Sequence, residues 1–100
     1  MNLYLLTQTV NNNYDTFESA VVAAETEEKA RLIHPRGDRE YSSLVHDWYR
    51  EGTGGVRYYD GKHSAWAPEW APIDKVEVTH LGTAKPGTKK GVICASFNAG

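Results

Sequence analysis

The chain has 100 residues, 40% of them hydrophobic and 24% charged. This suits one domain with one core and excludes a largely disordered segment. Its 11 basic and 13 acidic side chains leave a formal charge of −2, which removes any overall electrostatic pull towards nucleic acid or acidic lipid. A single cysteine, Cys94, excludes an intramolecular disulfide, and no run approaches the ~20 apolar residues of a membrane helix.

The opening MNLYLLTQTV has no leading positive charge and is interrupted early by Thr7, Gln8 and Asn11. It reads as a strand over 3–10 and not as a signal peptide, so a cytoplasmic location is expected. Asn11, Asn12 and Asn13 mark a reversal, because asparagine tolerates positive φ and bonds its own backbone. A second strand over 17–24 follows, and its SAVVAA run lacks a polar face, which predicts burial on both sides. The two strands should pair as an antiparallel hairpin.

Thr26 is a helix N-cap by type, and Glu27 and Glu28 suit the positive end of the helix dipole. Pro35 stops this helix, giving a short element over 26–34 with Ala30 and Ile33 on its apolar side. The middle of the chain, 36–72, is irregular. Tyr41, Leu44, Val45, Trp48 and Tyr49 recur at i, i+3, i+4, i+7 and i+8, the stripe of an amphipathic helix. Asp60-Gly61, flanked by 56–59 and 62–66, predicts a small hairpin, and Pro68 and Pro72 stop regular structure. Strands over 75–81 and 92–97 close the chain around a turn at Pro86-Gly87.

These elements predict one α+β domain over 1–100. A four-stranded, mainly antiparallel sheet would carry one or two helices on one face, with 36–72 as an aromatic-rich insertion. The apolar segments 19–24 and 92–97 should both be central.

The segments MNLYLLTQ, YDTFESAVVAAETEEKARLIHP, LGTA and GVICASFNAG resemble a family of small uncharacterised proteins encoded by bacteriophages and prophages. The resemblance covers both ends of the chain and not its middle. It implies a phage accessory protein acting in the host cytoplasm by binding host machinery, in some cases a defence component. It implies no catalytic residue.

The middle carries the strongest candidate surface. Trp48, Tyr49, Tyr58, Tyr59, Trp66 and Trp70 fall within 23 consecutive residues, and rigid rings with polar tips suit recognition. The expected contact residues are Arg57, Tyr58, Tyr59, His63, Trp66 and Trp70. The competing reading makes Trp48, Trp66 and Trp70 a satellite core over one end of the sheet. Arg31, Arg36, Arg39, Arg50 and Arg57 would suit a phosphate or an acidic partner, and Lys85, Lys89 and Lys90 a small basic tip. Interspersed acidic residues argue that both are solvated faces.

His34, His46, His63 and His80 show no metal-ligand spacing, and no cofactor is implied. Cys94 within VICASF is expected to be an inert core residue. Ser42-Ser43 near His46 lacks a nucleophile elbow, and GTGG at 52–55 follows a predicted helix where a phosphate loop should follow a strand. The expected function is therefore binding of a host protein or other macromolecule, with sequestration of a small nucleotide-like anion as the alternative. A homodimer through a strand edge or the tryptophan segment would enlarge a small core.

Overall fold

The computed structural model of the protein describes residues 1–10, 16–37, 40–42, 47–51, 57–59, 70–71 and 73–98; for 40–42, 47–51 and 57–59 this covers backbone and strand pairing. The elements are β1 (Asn2–Thr7), β2 (Thr16–Ala24), α1 (Glu27–Arg31), β3 (Glu40–Ser42), β4 (Asp47–Glu51), β5 (Arg57–Tyr59), a 3-10 turn (Ile73–Lys75), β6 (Glu77–Thr83) and β7 (Gly91–Asn98).

β1 and β2 form the expected antiparallel hairpin, paired from Asn2↔Ala24 to Thr7↔Ser19. Where the ladder stops, the buried Gln8 side chain continues it. Its Nε2 donates to the Phe17 carbonyl at 2.8 Å, and its Oε1 accepts from the Val10 N–H at 2.9 Å, so backbone groups at the hairpin's end stay satisfied. The asparagine turn lies outside the described residues.

The larger sheet has four antiparallel strands in the order β6-β1-β2-β7. The first hairpin sits at the centre and separates β6 from β7, which become the two edges. This corrects the expectation that 92–97 is central: β2 is central, and β7 bonds to it from outside. The link over 84–90 crosses the end of the central hairpin, where the Ala84 N–H donates to the Met1 carbonyl at 2.9 Å. Its turn is as the sequence predicts. The Thr88 N–H and Oγ1 donate to the Lys85 carbonyl at 3.1 and 2.6 Å. Pro86 fits the first central position, and Gly87, at φ 89°, takes the second, the arrangement of a type II turn.

Cross-strand partners share a sheet face. Tyr4↔Val22 and Leu6↔Ala20 lie on the buried face, together with Ala24. α1 packs over β1, β2 and β6 and adds Ala30; Ile33 follows it, and Trp70, Ala71 and Val76 complete this core. Leu3, Leu5, Thr7, Ser19 and Val21, on the opposite face, are half-buried.

α1 is shorter than expected, five residues beginning after Thr26, whose side chain accepts from the Lys29 N–H at 3.2 Å. Its C-cap is Leu32, and the chain turns at once through 34–37, where the Gly37 N–H donates to the His34 carbonyl at 2.9 Å. Pro35 accounts for the early stop, since the residue before a proline disfavours helical geometry. Arg31 then anchors a distant segment: its Nη1 donates to the Ile73 carbonyl at 3.0 Å and also to that of Val76. This one guanidinium holds the 3-10 turn and the entry to β6 against the helix, and β6 starts two residues later than the predicted 75.

One expectation for the middle is corrected. The helical stripe from Tyr41 to Tyr49 is a strand pair, β3 against β4, with Tyr41 opposite Trp48 and Glu40 opposite Tyr49. A seven-residue separation brings residues onto one helix face, but it also brings them opposite each other across a short hairpin. Tyr and Trp favour strands, and Ser42, Ser43, His46 and Asp47 are weak helix formers. The strand expected over 56–59 forms as β5, but its partner among the described residues is β4. Its expected partner, 62–66, lies outside them.

β7 is also more open than its composition predicts. Ile93 is 52% exposed and Phe97 41%, and Cys94, expected inside, is exposed. Burial on both faces needs neighbours on both sides and a layer above each face; among the described residues β7 is paired with β2 alone.

Candidate functional site

The second sheet is built from the aromatic middle of the chain, in the order β3-β4-β5. Its register is Tyr41↔Trp48 and Ser42↔Asp47 on one side of β4, and Tyr49↔Tyr59, Arg50↔Tyr58 and Glu51↔Arg57 on the other. Cross-strand partners share a face, and successive residues alternate. Positions Tyr41, Trp48, Arg50 and Tyr58 therefore fall on one face of this sheet. Positions Glu40, Ser42, Asp47, Tyr49, Glu51, Arg57 and Tyr59 fall on the other.

The six expected contact residues are thus divided. Arg57, Tyr58 and Tyr59 are consecutive on β5, so Tyr58 is on one face and its two neighbours on the other. Trp70 does not belong to any surface. It is 1% exposed and, among the described residues, is the largest fully buried side chain, within the core of the four-stranded sheet. For Trp70 the core reading replaces the contact reading, because an indole enclosed to that degree offers no area to a partner. His63 and Trp66 lie outside the described residues. Trp48, Tyr41 and Arg50 were not among the six, although their signal was present: read as strands, the aromatic spacing of 41–50 pairs Tyr41 with Trp48.

Of the arginines expected for a phosphate, the side chains of Arg31 and Arg36 are described, and each is engaged separately. Arg31 spends its guanidinium on backbone carbonyls. Arg36 lies 5.8 Å from the centroid of the Phe17 ring, a cation–π contact. Arg57 stands opposite Glu51 in the ladder. Arg39 lies outside the described residues. Lys85, Lys89 and Lys90 are exposed around the type II turn, which agrees with a solvated basic tip.

The histidines do structural work where they are described. His34 is buried, and its Nδ1 accepts from the Arg36 N–H at 3.1 Å. Its ring meets Phe17 edge-on with centroids 6.1 Å apart, and Phe17 in turn packs on its cross-strand partner Phe97 at 4.7 Å. His80 is exposed and tilts against Tyr4 at 5.3 Å. Among the described residues no group of three or more His, Cys, Asp or Glu is placed to hold a metal ion. Among them, too, no helix is long and apolar enough to cross a membrane.

No protein-family model matches the chain, and searches of curated proteins and of solved structures find no match.

Proposed function

We propose that the protein is a non-catalytic, phage-type accessory protein of the host cytoplasm. It binds a host macromolecule, with a protein as the favoured partner, through the small sheet β3-β4-β5. The observation that supports this reading is the strand register, which gathers Tyr41, Trp48, Arg50 and Tyr58 at positions of one face. Tryptophan, tyrosine and arginine are the residue types that dominate the energetics of protein interfaces. The phage setting rests on the sequence resemblance alone.

Sequestration of a nucleotide-like anion is the weaker reading. It needs several free guanidinium groups together, and Arg31 and Arg36 are engaged elsewhere. The four-stranded sheet acts as scaffold, and no reaction is assigned to it.

The test is capture of a stoichiometric partner from bacterial lysate by the immobilised protein, followed by the same capture with Trp48→Ala, Arg50→Ala and Tyr58→Ala. The proposal predicts that at least two of the three lose the partner while keeping the wild-type far-ultraviolet spectrum and melting temperature. Retention of the partner by all three refutes the assignment of the face. Purified protein carrying a bound, ultraviolet-absorbing small molecule would instead favour the anion reading.

A further inference from the structure

We draw no further inference here: the strongest candidate, the apolar face of the four-stranded sheet opposite α1, on which the half-buried Leu3, Leu5 and Val21 lie, carries nothing because nothing in the structure shows what covers it.

Discussion

Replacing Trp70 by alanine removes the largest fully buried side chain among the described residues. A tryptophan buries about 150–250 Å², and at about 25 cal/mol per Å² that is roughly 4–6 kcal/mol of burial. Alanine keeps the β-carbon, and the surrounding core closes only partly over the space, so the expected loss is about 3–5 kcal/mol. A domain of this size has about 5–15 kcal/mol in all, and each kcal/mol moves its melting temperature by about 4–8 °C. Trp70→Ala should therefore melt at least about 12 °C below the wild type. Urea unfolding followed by far-ultraviolet circular dichroism is the assay, since it does not depend on the indole removed. Trp70→Phe, which refills most of the space, should lose about half as much. A loss below about 1 kcal/mol for Trp70→Ala would refute the placement, and would return Trp70 to the contact residues if partner binding fell at the same time.

Arg31→Ala should cost about 1.5–3 kcal/mol by urea unfolding, because a charged donor to the Ile73 and Val76 carbonyls is lost. Arg31→Lys should recover less than half, since an ammonium lacks the planar fork. Gln8→Leu keeps the volume but leaves the buried Phe17 carbonyl without its side-chain donor; a loss of about 1–2 kcal/mol is expected, with faster amide exchange at Thr16 and Phe17. Thr26→Ala should cost about 1 kcal/mol and Thr26→Asn almost nothing, both read by thermal melting, if the cap on Lys29 is what starts the helix. Glu25→Gln should change stability by less than about 0.5 kcal/mol, because the Lys29–Glu25 pair has side chains 53% and 65% exposed.

Local chemistry was readable in the sequence, and long-range pairing was not. The N-cap at Thr26, the stop at Pro35, the turn at Pro86-Gly87 and the first hairpin follow from residues a few positions apart, whose backbone preferences act directly. Sheet order is set by which strand edges meet. β7 looks central because it is apolar, yet it is an edge, because the β1-β2 hairpin offers an outer side on each strand and β6 takes the one on β1. An apolar strand is a signal of burial without saying by what.

The candidate site failed in the sequence for a related reason. The aromatic spacing from Tyr41 to Tyr49 satisfies a helix and a hairpin equally, and weak helix formers between the aromatics decide for the hairpin. Reading it as a helix hid the Tyr41–Trp48 pairing and directed attention to Trp70, whose proline-flanked setting suggested a surface. Its burial shows that this part of the chain turns inward at that residue.

Amide hydrogen exchange of the captured complex against the free protein tests the binding account most directly. The account predicts new protection over 40–59, with β1, β2 and β6 unchanged. Protection on those scaffold strands instead, with exchange across 40–59 unaltered, would contradict it.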